Sequence, residues 1–167
     1  RGREIGFGQA AAELAALLGE RDVLGSSAGA DMHERLQVLR GATSQHRVEP
    51  ARLKSIRQDA QRLLVKNHPV DNSPSASDTG RLLALAYPDR IGQRRVGQSA
   101  RYQLSNGKGA SLREDDALVR YDWLVAADLD GKTRQATIYL AAPVNLTDLE
   151  QDLSTLITES EEALWDD

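Results

Sequence analysis

A chain of 167 residues, of which 40% are hydrophobic, is long enough to bury the core of one domain or of two small ones. It has no cysteine, which excludes disulfides, thiol catalysis and cysteine-ligated zinc, and no run of about 18 apolar residues that would cross a membrane. The formal net charge of -4 arises at the end of the chain, because residues 144–167 carry eight acidic and no basic side chains, whereas residues 1–143 carry 21 basic and 17 acidic ones.

The chain begins with RGREIGFGQ, which has neither a methionine nor the basic end and apolar run of a signal peptide. We interpret it as a piece of a longer protein. The absence of cysteine fits a reducing compartment, and we expect a cytoplasmic location.

Helical patterns fill the first half of the chain. The predicted helices are 9–19, rich in alanine and leucine; a helix capped by Asp31 and ending at Gly41; 50–66; and a short helix capped by Asp78 or Thr79 and ended by Pro88. Apolar residues recur in them at helical spacing, which predicts one buried stripe per helix. Residues 68–79 are rich in proline and serine, and we expect a loop there.

After Pro88 the pattern changes to short runs that contain β-branched and aromatic residues. The predicted strands are 90–96, 101–105, 123–130 and 134–140, and Asn106-Gly107 and Asp130-Gly131 are strong hairpin signals. Residues 90–143 therefore predict a small antiparallel sheet or barrel. The fold class is α+β, with an N-terminal helical bundle followed by this β-structure.

The last segment, 144–167, predicts an acidic amphipathic helix capped by Asn145 or Thr147. Its apolar positions are Leu149, Leu153, Leu156 and Ile157. Trp165 can begin a further strand.

Residues 90–113, which we call the basic segment, have an unusual charge distribution. They hold six basic side chains and no acidic one: Arg90, Arg94, Arg95, Arg101, Lys108 and Arg113. A solvated face is one explanation. The other is a surface that neutralises phosphates.

Patterns for catalysis or metal binding are weak. Residues 106–109 resemble a phosphate-binding loop only superficially, because the glycine spacing is wrong and no helix of suitable length follows, so a hairpin turn explains them. The three histidines are far apart and lack metal-site spacing. The acidic cluster 114–116 fits the first turn of a helix. We predict no catalytic residues and no metal ligands in this chain.

Several strings do resemble a known family. LLALAYPDRIGQRR, RYQLSNGKGASL and DDALVRYDWLVAADLDG are similar to the region that follows the motor in bacterial DEAH-box RNA helicases of the HrpB type. AAELAALLGERDVL and GADMHERLQVLR resemble the helicase-associated helical domain of the same proteins, and PVNLTDLE with ALWDD resembles the start of their C-terminal extension. The resemblance covers nearly the whole chain in the expected order.

The resemblance implies an ATP-dependent RNA helicase, an ATP hydrolase, whose motor with its ATP and magnesium lies upstream. This chain lacks the GxxxxGK[ST] pattern and the Asp-Glu-Ala-His box, so we expect it to hold no cofactor and to be inactive alone. The implied parts are a ratchet-like helical domain at 1–89, an OB-like β-barrel at 90–143 and the start of the family's extension at 144–167. The implied partners are the upstream motor domains and single-stranded RNA, with DNA left open.

Within the implied barrel, the predicted phosphate-binding residues are Arg94, Arg95, Arg101 and Lys108. Neighbours in a strand point to opposite faces, so at most one of Arg94 and Arg95 can lie in a single groove, and the other is exposed or paired, for example with Asp89. Tyr102 is either a platform on which a base stacks or a core residue. We interpret Trp123 as a core residue.

Two functions are consistent with these patterns. In the first, the chain is an accessory nucleic-acid-binding region that guides single-stranded RNA leaving the motor. In the second, it is a protein-interaction or regulatory module that docks to the motor or another partner through the apolar stripe of 9–18 or the acidic segment 144–167, without strong RNA binding.

Overall fold

The computed structural model describes residues 6–64, 73–131 and 134–156. The helices are α1 (Gly8–Leu18), α2 (Met32–Leu39), α3 (Pro50–Leu63), α4 (Ala76–Ala86) and α5 (Leu146–Asp152). The strands are β1 (Ile91–Arg94), β2 (Arg101–Leu104), β3 (Gly109–Ser111), β4 (Trp123–Leu129) and β5 (Gln135–Pro143). Short 3-10 turns lie at Ser26–Ala28, Pro88–Arg90 and Ala117–Arg120. The predicted α+β class is confirmed, and within these ranges no helix is long and apolar enough to cross a bilayer.

Local capping chemistry explains where the helices begin. The Asp31 carboxylate accepts a hydrogen bond of 2.9 Å from the backbone N–H of His33, as predicted for α2. The cap predicted for α4 is wrong. Ser75 occupies that position, and its hydroxyl and the Asp78 carboxylate each accept a backbone N–H of the other residue, at 3.1 and 2.9 Å.

Two predicted helices are shorter than expected. α3 begins at Pro50, where a missing N–H costs nothing, but it ends at Leu63 rather than at residue 66, which lies outside the described residues. α5 has seven residues, with Asn145 at its N-terminus. Leu149 and Leu153 are buried as predicted, Leu156 is exposed, and residues 157 and 165 lie outside the described part of the chain.

The five strands form a closed barrel in the order β1-β2-β3-β5-β4. Every neighbouring pair is antiparallel except β3 and β5, which are parallel, so the barrel is mixed and the antiparallel prediction is wrong for this pair. The prediction also lacked β3. Its sequence, GAS, has little strand propensity, and it is a strand because β2 and β5 flank it on both sides.

Two apolar clusters hold these elements together. The first fills the barrel and consists mainly of inward residues of the strands, including Tyr102, Leu104, Ala110, Leu124 and Ile138. The second joins the helices to the outer side of β4 and β5, where Val125, Ala127, Leu140 and Ala142 pack against the buried stripes of α1, α2 and α4. The helical part therefore covers one side of the barrel. The division into 1–89, 90–143 and 144–167 stays a prediction.

The segment before α2 enters the end of the barrel. Ala30 is buried in the barrel cluster, its N–H donates to Asp116 Oδ2 at 2.8 Å, and its carbonyl accepts the N–H of Ala141 at 2.8 Å. Close packing continues at α4, where a Cβ added to Gly80 would lie 1.9 Å from the carbonyl oxygen of Pro143. Only a glycine permits this approach of helix and strand.

Candidate nucleic-acid interface

The outer side of β1, β2 and β3 is the part of the barrel that the helices leave largely uncovered. In β2 the side chains alternate, with Arg101 and Gln103 exposed and Tyr102 and Leu104 buried. We call the outward residues of β1, β2, β3 and the start of β5, together with loops 95–100 and 105–108, the open face. The basic segment, which has no acidic residue, supplies most of it.

Strand register arranges the open face in rows, because residues directly opposite each other on neighbouring strands share a face. One row, which we call the amide row, crosses four of the strand pairs. Gln93 lies opposite Trp123 and Gln103, Gln103 lies opposite Gly109, and Gly109 lies opposite Gln135. The row is thus Trp123, Gln93, Gln103, Gly109 and Gln135.

Cations surround the amide row. The N–H of Arg95 donates to the carbonyl of Arg101 at 2.8 Å, which places these two arginines side by side where β1 and β2 meet. Lys108 directly precedes Gly109, whose N–H donates to the carbonyl of Arg134 at 3.2 Å. Arg95, Arg101, Lys108 and Arg134, which we call the open-face cations, therefore have their backbones next to the amide row.

Arg95 is held in place beside the amide row. Its guanidinium donates to Gln103 Oε1 at 2.9 Å, and the Gln103 amide nitrogen donates to the carbonyl of Gly107 at 3.1 Å. This chain of hydrogen bonds fixes the guanidinium beside the β2–β3 turn. An arginine that is already oriented loses less conformational freedom when it binds a phosphate.

Arg101 and Lys108 are exposed. Within the described ranges, no ion pair engages either side chain. Lys108 follows the turn predicted at Asn106-Gly107, where Gly107 has a φ of 85° and Asn106 Oδ1 accepts the N–H of Lys108 at 3.0 Å. Contact of these two residues with an anionic ligand stays a prediction.

Arg94 directly precedes Arg95, and the two side chains start from opposite faces of the strand. It lies opposite Tyr102, donates to the carbonyl of Val119 at 2.9 Å and forms an ion pair with Asp122. The expected alternation of the two arginines is therefore found, but the partner is Asp122 and not Asp89. Arg94 ties β1 to the segment before β4, and its guanidinium is engaged by the Val119 carbonyl and Asp122 rather than by the amide row.

Tyr102 is a core residue, so the stacking role considered for it does not fit the structure. Its side chain is 0% exposed inside the barrel, and its hydroxyl donates to the carbonyl oxygens of Tyr121, at 2.8 Å, and Leu118, at 3.2 Å. Burial raises the pKa of Tyr102 to about 12, although nearby Arg94 opposes the rise. A base cannot reach this ring.

Sequence reasoning missed several residues of the open face. Arg134 and Gln135 were recognised only as the start of a strand, because their closeness to Lys108 depends on the parallel pairing of β3 with β5. Trp123 is not a fully buried core residue: it is partly buried, and it stands at the end of the amide row. The signal that could have located Trp123 is period-two alternation within β4, where Leu124 points into the barrel.

Polar groups elsewhere have structural roles. His33 Nδ1 lies 2.9 Å from Thr79 Oγ1 and Nε2 lies 3.2 Å from the Gln37 amide nitrogen, an arrangement that links α2 to α4. Burial lowers the pKa of His33. Asp116, from the acidic cluster 114–116, caps the 3-10 turn Ala117–Arg120. In the described part of the chain, no group of three or more acidic or histidine side chains is arranged to hold a metal ion.

Sequence comparison with known proteins identifies a relative of this chain. No family model matches the chain. The ATP-dependent RNA helicase HrpB of Escherichia coli strain K12 is 41% identical over 123 residues, which cover 72% of this chain and 15% of that protein. The chain therefore spans less than a fifth of this curated relative.

Solved structures give the same result. The crystal structure of the E. coli DExH-box NTPase HrpB matches 95% of this chain and 18% of its own, with a TM-score of 0.67 and 37% identity. A crystal structure of the Escherichia coli DEAH/RHA helicase HrpB matches 83% of this chain and 16% of its own, with a TM-score of 0.59 and 32% identity. The closed five-stranded barrel agrees with the OB-like fold that the resemblance implied. The chain is therefore related to HrpB-type DEAH-box helicases, and its helical part followed by an OB-like barrel is consistent with a C-terminal accessory region of such a protein.

Proposed function

We propose that this chain is the accessory region of an ATP-dependent RNA helicase and that its open face guides single-stranded RNA leaving the motor. HrpB of Escherichia coli, to which this chain is similar, is an ATP-dependent RNA helicase. The observation that carries the proposal for this segment is the open face itself, where Arg95, Arg101, Lys108 and Arg134 border a row of neutral amides on a surface that the helices leave largely uncovered, with α5 at its edge.

The charge arrangement suits a nucleic-acid backbone better than a small anion. The open-face cations are spread along the barrel, because Arg95 follows β1, Arg101 begins β2, Lys108 precedes β3 and Arg134 precedes β5, so they form an extended surface. Each phosphate that a lysine or arginine neutralises in a single strand contributes about 0.7 to the slope of log affinity against log salt. Four such contacts would produce a slope of about 3, which distinguishes them from one or two incidental charges.

ATP and magnesium belong to the motor of the parent protein in this proposal. The chain has no P-loop pattern and no Asp-Glu-Ala-His box, so we expect no ATP hydrolysis by the chain alone. The parent acts in the cytoplasm, and the motor domains are the partner of the helical part.

The test measures binding of a labelled single-stranded RNA of about a dozen nucleotides to this chain at several salt concentrations. Replacing Arg95, Arg101 and Lys108 together by alanine should weaken binding and lower the salt slope by about 2. The control removes the same charge from the helical part by replacing Arg21, Arg47 and Lys54, which are exposed. Equal losses in the two triple variants would mean that the open face has no special role.

A specific observation also favours the second function, a protein-interaction module. The apolar stripe of α1 forms one wall of an open groove of about 440 Å³, and α4 forms the other, with Leu14, Leu18, Leu82, Leu85 and Tyr87 among the lining residues. Docking of the motor there would leave RNA affinity unchanged when the groove is altered. Replacing Leu18 and Leu85 by serine should then abolish binding to the separately produced motor segment, whereas the open-face triple variant should retain it.

A further inference from the structure

We propose that the cavity between the β1–β2 loop and Trp123 binds one unstacked nucleobase of the bound strand. This inference rests on the proposed function, because it assigns a base to a position beside the open-face cations. The cavity has a volume of about 590 Å³ and its walls include Gln93, Arg95, Val96, Gln98, Ser99 and Trp123.

Trp123 supplies the aromatic surface that the buried Tyr102 cannot. It lies opposite Gln93 at the end of the amide row, and it forms a wall both of this cavity and of a second one under α5, where Leu149 and Leu153 lie. Trp123 also packs against the apolar cluster that includes Leu149 and Leu153, so the indole is supported on one side while it borders the open face. A supported aromatic ring beside a cationic surface is the usual platform for a base.

The β1–β2 loop provides a second apolar group. Val96 at the loop tip is 100% exposed, so its side chain is fully accessible to a ligand in the cavity. The loop is a tight turn: Gly97 has a φ of 72°, and the N–H of Gln98 donates to the carbonyl of Arg95 at 3.1 Å. This conformation holds Val96 on the same cavity as Trp123.

Polar groups on the cavity match the edge of a base. Gln93, Gln98 and Ser99 are exposed, and in the described part of the chain their side chains engage no hydrogen-bonding partner. Amide side chains both donate and accept, so they can pair with base edges of different identity. The cavity should accordingly accept any base, with a preference set by Gln93.

Electrostatics favour a nucleotide at this position. Asp122 also lines the cavity, but Arg94 neutralises it through their ion pair. Arg95 stands at the rim with its guanidinium held by Gln103. A base inserted beside Trp123 would bring its own phosphate towards this fixed arginine.

Tryptophan fluorescence tests the proposal, because Trp123 and Trp165 are the two tryptophans of the chain. In a Trp165→Phe variant the signal reports Trp123 alone. Titration with a single-stranded RNA of about a dozen nucleotides should quench it in parallel with binding, and an abasic oligonucleotide of equal length and charge should bind about ten-fold more weakly and quench little.

Two variants separate a binding role from a folding role. Trp123→Leu keeps an apolar contact for α5 and should bind RNA about ten-fold more weakly with an unchanged salt slope. Val96→Ala alters a fully exposed side chain and should weaken RNA binding, though less, while the abasic oligonucleotide binds as before. Binding without quenching, with equal affinity for the abasic strand, would overturn the base site and leave the phosphate surface intact. Absence of binding to either strand at low salt would overturn the proposed function together with this site.

Discussion

Arg95 and Gln103 are joined across β1 and β2 by a hydrogen bond of 2.9 Å that uses the only acceptor of the Gln103 side chain. Because the Gln103 amide nitrogen is itself bound to the Gly107 carbonyl, the glutamine is a fixed support and the arginine is the group free to make further bonds. Gln103 thus positions the guanidinium of Arg95, and the two residues act as a unit.

The first prediction concerns this unit. Gln103→Leu should reduce RNA affinity about five-fold, because the Arg95 side chain must then be ordered on binding, while the free energy of unfolding changes by less than about 0.5 kcal/mol at this exposed site. RNA titration and urea unfolding measure the two quantities. In an Arg95→Ala background the effect of Gln103→Leu on affinity should vanish; an undiminished effect would mean that Gln103 touches RNA directly.

The second prediction tests the junction of α4 with β5. Gly80→Ala should lower the free energy of unfolding by about 3 kcal/mol, since the new methyl group would overlap the carbonyl oxygen of Pro143 and backbone must move. Gly131→Ala is the matched control, because a Cβ there meets no atom within 4 Å. Chemical denaturation of both variants should separate them clearly. Similar stability of the two proteins would contradict the close contact.

The third prediction follows from the buried Tyr102. The pKa of Tyr102 is about 12 in the folded chain and about 10 in the unfolded chain. The folded state therefore keeps its full stability below pH 10, and part of its free energy of unfolding is lost as the pH rises towards 12. The loss amounts to about 3 kcal/mol. Unfolding measured across this range should show a steeper decline for the unaltered protein than for Tyr102→Phe. Parallel curves would show that the hydroxyl ionises normally.

The fourth prediction concerns Arg35 and Asp22. The Arg35 side chain is 2% exposed and donates to both oxygens of Asp22, at 3.0 and 2.8 Å. Burial alone raises the pKa of Asp22, but the hydrogen bonds and charge of Arg35 outweigh it, and the pKa lies below its ordinary value of 3.8. The pair therefore stabilises the fold above that pH, and the contribution is lost as the pH falls below it.

Arg35→Ala should lower the free energy of unfolding by about 3 kcal/mol, because Asp22 and the backbone carbonyls of Asp31 and Gly25 lose their donor. Asp22→Asn should be less damaging and should flatten the acid side of the stability curve. Denaturation at several pH values between 2 and 6 measures both effects. A stability curve for Asp22→Asn that keeps its acid slope would assign that slope to other carboxylates.

The period and turn signals of the sequence were sufficient for β1, β2 and the turn between β2 and β3. Alternation along β2 was also sufficient to predict that Tyr102 is buried, since its neighbours Arg101 and Gln103 are polar and must point outward. By contrast, the parallel pairing of β3 with β5 joins residues about 26 positions apart in the chain. The sequence GAS of β3 has little strand propensity, so local patterns could not predict this strand.

The same limit applies to the candidate site. Residues near each other in sequence, such as Arg94 and Arg95, were correctly assigned to opposite faces. The partner of Arg94 was not predicted, because Asp122 is 28 residues away and reaches it only when β4 pairs with β1. Arg134 joined the open face by a similar long-range contact. Local patterns determine which way a side chain points, and closure of the barrel determines what it meets.

The insertion of Ala30 into the barrel has a mechanical consequence. Its two backbone groups are bound to Asp116 and to Ala141 of β5, while α2 begins just after it. A force applied to the helices is therefore transmitted directly to β5 and, through the closed ring of strands, to the open face. The helices and the barrel should therefore turn together as one rigid lever.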